Sequence, residues 1–134
     1  MHIVSGSFSL TTGQRMELID ITAKVENIFQ ENTQLEGLLH LFNPHTTAGL
    51  TINEGADPAV RQDICDGLRA MVPLDYPFRH AEGNSPAHIM AMLCGSSLTI
   101  AVSKGRLLLG QWQHIFFCEF DGPRQRSIHW RLLS

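Results

Sequence analysis

The sequence predicts one α+β domain, built on largely antiparallel sheets of about seven strands with about three helices. Three observations carry that prediction. Most of the chain falls into short β-prone runs with apolar residues at alternate positions, separated by Gly, Pro, Asn and Asp. Only the stretch opened by Asp57-Pro58 shows a sustained helical stripe, Val60, Ile64, Leu68 and Met71. The 134 residues are 43% apolar and 17% charged, which suits a single globular domain over 1–134 with a full core of its own.

Taken in order, residues 2–10 are β-prone through Ile3, Val4 and Phe8, and Thr11-Thr12-Gly13 reads as a turn. Residues 15–21 bury Met16, Leu18 and Ile21, so a hairpin with the first strand is expected. Thr22 is a good N-cap for a surface helix over 22–31, with Val25, Ile28 and Phe29 at helical spacing. Residues 36–42 form a strand that stops at Asn43-Pro44. A polar loop from His45 becomes a strand at Leu50 and Ile52. The Asp57-Pro58 helix ends at Pro73, and 74–78 is loop. Ser85 as N-cap and Pro86 as first helical residue open a short helix to Leu93, broken by Gly95. Residues 98–102 and 106–109 are strands about the Lys104-Gly105 turn. Residues 115–120 are a further strand, Asp121-Gly122-Pro123 is a turn, and 126–133 is the last strand, with Ile128, Trp130 and Leu132 on one side.

Composition excludes several classes of function. A net charge of −3 leaves no electrostatic footprint for nucleic acid. Cys65, Cys94 and Cys118 are odd in number and far apart, which argues against a disulfide framework, and Cys118 reads as a small buried thiol. No apolar run reaches membrane-spanning length and no signal-peptide pattern opens the chain, so the expected compartment is the cytoplasm.

The chemistry concentrates in the stretch from Arg79 to His88. His88 falls in the first turn of a helix, where free N–H groups and the positive dipole end disfavour a charged imidazole. A neutral imidazole binds a metal or accepts a proton, and the same helix start suits an anion. His45 and His80 also lie in polar loops, so three imidazoles are available to hold a divalent metal, zinc among the candidates, with a position left open. Glu54 and Glu82 lie beside those segments and are the candidate catalytic carboxylates. Asn84 is a candidate for orienting an imidazole or binding substrate. Trp112 and Gln113 offer a stacking face and a carboxamide, and Arg124 and Arg126 flank a turn where they can clamp a phosphate. His40 and His129 lie inside strands and read as hydrogen-bonded or surface residues. There is no P-loop, dinucleotide fingerprint or nucleophile elbow.

Several of these segments resemble one known family. The run from His45 to Glu54 is similar to its H-T-[ST]-A…N-E segment, and Asn84…Ala87-His88-Ile89 to its N-x-x-[AS]-H-[ILV] segment. Ser97-Leu98-Thr99-Ile100, Gly105-Arg106-Leu107 and Gly110-Gln111-Trp112-Gln113 match S-L-T-[IV]…G-x-L…G-T-W-Q, with Gln111 where threonine is usual. The segment from His80 to Asn84 is shorter than the common D-E-G-D-G-N form. On these motifs the chain resembles the small proteins called secondary thiamine-phosphate synthases. The resemblance implies a β-sandwich-like α+β fold, a homotrimer, and a metal cluster of His45, His80 and His88. It also implies a side activity joining a pyrimidine diphosphate to a thiazole phosphate, with release of pyrophosphate.

Two readings follow. The first is an enzyme performing metal-assisted transfer or hydrolysis on a small phosphorylated heterocycle. In it the histidines hold the metal, Arg124 or Arg126 holds the phosphate, Trp112 stacks on the ring and Glu54 or Glu82 moves protons. The alternative is a non-catalytic homotrimer that binds a metal or small anion.

Overall fold

The computed structural model describes residues 1–134. Eight strands form two antiparallel sheets, and three helices complete the α+β fold. The strands are β1 (Ile3–Thr11), β2 (Glu17–Asp20), β3 (Gly37–Phe42), β4 (Ala48–Glu54), β5 (Ser97–Ser103), β6 (Arg106–Leu107), β7 (Gln113–Glu119) and β8 (Gln125–Leu133). The helices are α1 (Thr22–Glu26), α2 (Pro58–Met71) and α3 (Ser85–Cys94). The larger sheet runs β1-β8-β3-β5-β6 and the smaller β2-β7-β4.

The layers follow from which faces are apolar. Leu10, Leu39, Leu41, Ile100, Val102, Ile128 and Leu132 of the larger sheet meet Leu50, Ile115 and Phe117 of the smaller one, closed at one side by Val25 and Phe29. The other face of the smaller sheet carries Leu18, Phe116 and Cys118, which pack with Met16 and Phe120 under Cys65 of α2 and Ala87, Met90 and Ala91 of α3. The smaller sheet is therefore covered on both faces. That is why Ile115–Phe120 is a continuous apolar run broken only by the buried Glu119. Cys118 is buried, and all three cysteines are free thiols. No helix is long and apolar enough to cross a membrane.

Four local expectations need correction. β1 and β2 do not form a hairpin: β1 pairs with β8 and β2 with β7, in different sheets. Alternation places one face of each strand in the core but does not name its partner. Helix α1 ends at Glu26 rather than residue 31, with turns over the following residues. The strand after the Lys104-Gly105 turn is only two residues long, and the strands number eight. Finally, α3 starts at Ser85 with Asn84 in the N-cap position, and Asn84 makes no side-chain capping bond. Helix α2 begins as expected, with the Asp57 carboxylate accepting from Ala59 N at 2.9 Å.

Candidate functional site

Four segments meet at one end of the two sheets: the loop from β3 to β4, the loop before α3, the start of α3, and the turn from β7 to β8. They enclose an open cleft of about 450 Å³ lined by polar and charged side chains and by Pro44. His45, His80, Glu82, Asn84, His88, Arg124 and Arg126 all face it, with Thr46 and Thr47. A shoulder of the cleft continues past His45 and His88 to Ala48, Ala91 and Met92.

The loop holding His45 is tied down by Asn43, which is 1% exposed. Its Oδ1 accepts from His45 N at 3.0 Å and its Nδ2 donates to Ala48 O at 2.8 Å. His45 Nε2 accepts from Ser127 N at 2.9 Å. An acceptor Nε2 in a neutral ring leaves the proton on Nδ1. Burial, and then the Arg126 guanidinium, hold the His45 pKa below its usual range. His45 is therefore a neutral imidazole whose remaining nitrogen is a donor, which suits an anion better than a metal.

Arg126 is 4% exposed and is paired with Glu119, which is fully buried. Its Nε donates to Glu119 Oε1 at 2.9 Å, and its Nη2 contacts Glu119 Oε2 and donates to Thr47 Oγ1 at 2.9 Å. Thr12 Oγ1 donates to Glu119 Oε1 at 2.7 Å, and Asp121 N to Glu119 Oε2 at 3.2 Å. Burial pushes the Glu119 carboxyl up, and these donors, Arg126 foremost, bring it net below its ordinary value. Arg124 is half-exposed and wraps Asp121: Nε donates to Asp121 O at 2.8 Å and Nη2 to Asp121 Oδ2 at 3.0 Å. Asp121 Oδ2 also accepts from Asn84 Nδ2 at 2.8 Å. Each guanidinium at the cleft is thus matched by a carboxylate. The His80 and His88 rings stand edge to face with centroids 5.5 Å apart. No three His, Cys, Asp or Glu side chains form a ready metal-holding group.

Three of the sequence-predicted residues lie elsewhere. Glu54 ends β4, seven residues past Thr47 at the cleft, which is about 23 Å along a strand. Its Oε2 accepts from Asp57 N at 2.8 Å and so supports the start of α2. Gln113 is the cross-strand partner of Glu54, and its Oε1 closes a turn on Gly110 N at 2.7 Å. Trp112 is exposed beside them, and its carbonyl accepts from Gly55 N at 2.9 Å. These three belong to the far end of β4 and β7. Conversely, Asn43, Thr47, Glu119 and Asp121 hold the cleft together and were not singled out from the sequence. The one usable signal was Glu119, a charge inside an apolar strand run.

The fold and cleft define a small α+β protein with two stacked antiparallel sheets and a polar histidine–arginine cleft at one end. The chain belongs to the UPF0047 family: the YjbQ-like family model matches residues 6–134. It is 45% identical over 127 residues to a UPF0047 protein of Methanocaldococcus jannaschii, covering 95% of this chain and 92% of that one. It is 43% identical over 129 residues to the UPF0047 protein YugU of Bacillus subtilis, covering 96% and 98%. Among solved structures, an uncharacterized conserved protein of this family from Clostridium acetobutylicum superposes with a TM-score of 0.90 at 46% identity, covering 95% of this chain and 98% of that one. A hypothetical protein from Aeropyrum pernix superposes at 0.91 with 38% identity, covering 98% of each. The thiamine-phosphate synthase resemblance drawn from the motifs is therefore corrected: family and relatives are UPF0047 proteins, and none of these matches indicates a thiamine-phosphate synthase. The shared motifs sit at the cleft, in strands and at turns, and such elements mark a fold and a pocket rather than one reaction.

Proposed function

We propose that the cleft binds a small phosphorylated molecule together with a divalent metal, and that the protein catalyses transfer or hydrolysis at that phosphate. The observation that carries this reading is the cleft in which His80 and His88 stand 5.5 Å apart, centroid to centroid, beside two guanidinium groups. Metal–nitrogen bonds of ~2.0–2.1 Å would set two ring centroids of one tetrahedral ion roughly 5 Å apart, so the spacing fits a shared ion. Charge bookkeeping points the same way. Asp121 and Glu119 already match Arg124 and Arg126, so a phosphate dianion needs a further cation. Bound there, a divalent metal supplies Lewis-acid neutralisation of phosphate charge and lowers the pKa of a ligated water. The chain's own groups supply the rest. His45 Nδ1–H and the outer edge of Arg126 donate to phosphate oxygens, Arg124 adds positive charge at the rim, and exposed Glu82 is the proton carrier.

The test is calorimetric titration of ethyl phosphate with and without Mn²⁺ or Zn²⁺, followed by phosphatase and phosphotransferase assays. The phosphate ester should bind only with metal present. His88→Ala should lower metal affinity by at least about tenfold, the scale expected for loss of one of two protein ligands. Metal-independent binding, or full metal affinity in His88→Ala, would remove the metal from the proposal.

The same reading includes assembly as a homotrimer. Its support is an apolar row crossing the outward face of the larger sheet, Ile3–Leu133–Leu38–Ala101, with Ile3 and Leu38 nearly half exposed.

A further inference from the structure

Gly49 of β4 and Cys118 of β7 are register partners on the face of the smaller sheet that α2 and α3 cover. Side chains paired in this way lie about 4.5–5.5 Å apart, Cβ to Cβ. Gly49 leaves its own position empty, and Cys94, the last residue of α3, fills it. Cys94 Sγ stands 2.7 Å from where a Gly49 Cβ would be, and Cys94 Cβ 2.8 Å. The sulfur is oriented there by donating to Leu50 O at 3.6 Å. The Cys94 thiol thus takes the cross-strand place beside Cys118 that the side chain of residue 49 would otherwise hold.

The two sulfurs differ in access. Cys118 is 2% exposed, whereas Cys94 at the helix end is partly exposed. A hydrogen bond from Cys118 holds the Cys94 thiol below its ordinary value, and the same contact, together with burial, pushes Cys118 up. Cys94 is the sulfur that solvent reaches and the one that ionises first. Cys65, in α2, is buried, and burial pushes its thiol up.

We infer that Cys94 and Cys118 form a reversible disulfide when the protein meets a peroxide, with Cys94 as the attacking sulfur and Cys118 as the resolving one. In the first step Cys94, having lost its proton, attacks one oxygen of hydrogen peroxide. The O–O bond breaks, the hydroxide that leaves takes up the proton as water, and Cys94 becomes a sulfenic acid. In the second, the Cys118 sulfur attacks the Cys94 sulfur and the S–O bond breaks. The hydroxyl leaves with the Cys118 proton as a second water. Two thiols have been oxidised by two electrons and one peroxide reduced to two waters. A dithiol reverses the bond by exchange. The disulfide would tie the end of the helix whose first turn carries His88 to the strand beneath it.

The test is peroxide treatment of the full chain, alkylation of the remaining thiols in denaturant, and peptide mapping without reductant. Of the three thiols only Cys65 should then be alkylated. A linked Cys94–Cys118 peptide should appear and be lost on treatment with dithiothreitol. In Cys118→Ser, dimedone added with the peroxide should label Cys94, since the sulfenic acid has no partner. Cys94→Ser should keep both of its thiols, and Cys65→Ser should form the bond as the unmodified protein does. The map of the unmodified protein decides the matter if a serine variant does not fold. Three alkylated thiols after peroxide overturn the inference. So does a Cys94 sulfinic acid beside an unreacted Cys118, a bond that includes Cys65, or a disulfide between two chains on a non-reducing gel.

Discussion

Arg126 and Arg124 are two residues apart and face the same cleft, yet their surroundings make them different in kind. Arg126 is the sole cation beside a carboxylate that no water reaches. Removing it strands that charge, so Arg126→Ala should cost about 3–5 kcal/mol in urea unfolding. Arg124 is half-exposed and its partner is reachable by solvent, so Arg124→Ala should cost within about 1 kcal/mol. Equal costs for the two would mean that the Glu119 charge is compensated by Thr12 and the backbone without the guanidinium. The contrast also separates their positions: Arg126 is built into the wall, and Arg124 is held on Asp121 at the half-exposed rim.

At the scale of elements, the cleft depends on how α3 sits against β4. Gly49 lies under the end of that helix, where an added Cβ would come within 2.7 Å of Cys94 Sγ and 2.9 Å of Gly95 O. Leu50 N donates to that same Gly95 carbonyl at 3.0 Å, so strand and helix end are stitched where they touch. Gly49→Ala should therefore push α3 off the strand at a cost of about 1–3 kcal/mol, with faster amide exchange at Leu50. Gly67 is the control. It lies within α2 with nothing inside 4 Å of an added Cβ, so Gly67→Ala should stabilise by about 0.5–1 kcal/mol. Loss of stability in both variants would point to a general intolerance of the helical layer rather than to the contact at Gly49.

For the whole molecule, the assembly prediction concerns the outward face of the five-stranded sheet. The proposed trimer would bury the Ile3–Leu133–Leu38–Ala101 row. Leu38→Glu should then give a folded, smaller species in sedimentation at micromolar concentration, with unchanged far-ultraviolet circular dichroism. A chain that sediments as a monomer without any substitution would end the trimer proposal. Unchanged assembly in Leu38→Glu would move the interface to another face.

The sequence by itself determined the fold class and most strand positions, because alternation and turn residues act locally and read the same in any context. It also determined that residues 79–88 would open a helix beside polar groups, since Pro86 admits few other conformations there. The gathering of His45, His80 and His88 at one cleft was legible only as a shared preference for polar loops. What the tertiary structure decided were the pairings. Local pattern cannot say that β1 joins β8 while β2 joins β7, because register is settled by which apolar faces close on each other. For the same reason Glu54, Trp112 and Gln113 look like site residues in sequence yet stand a strand's length away. The roles of Glu119 and Asp121 follow from contacts across the β7–β8 turn and with Thr12 and Asn84, many residues away in the chain, and such contacts exist only once the sheets have stacked.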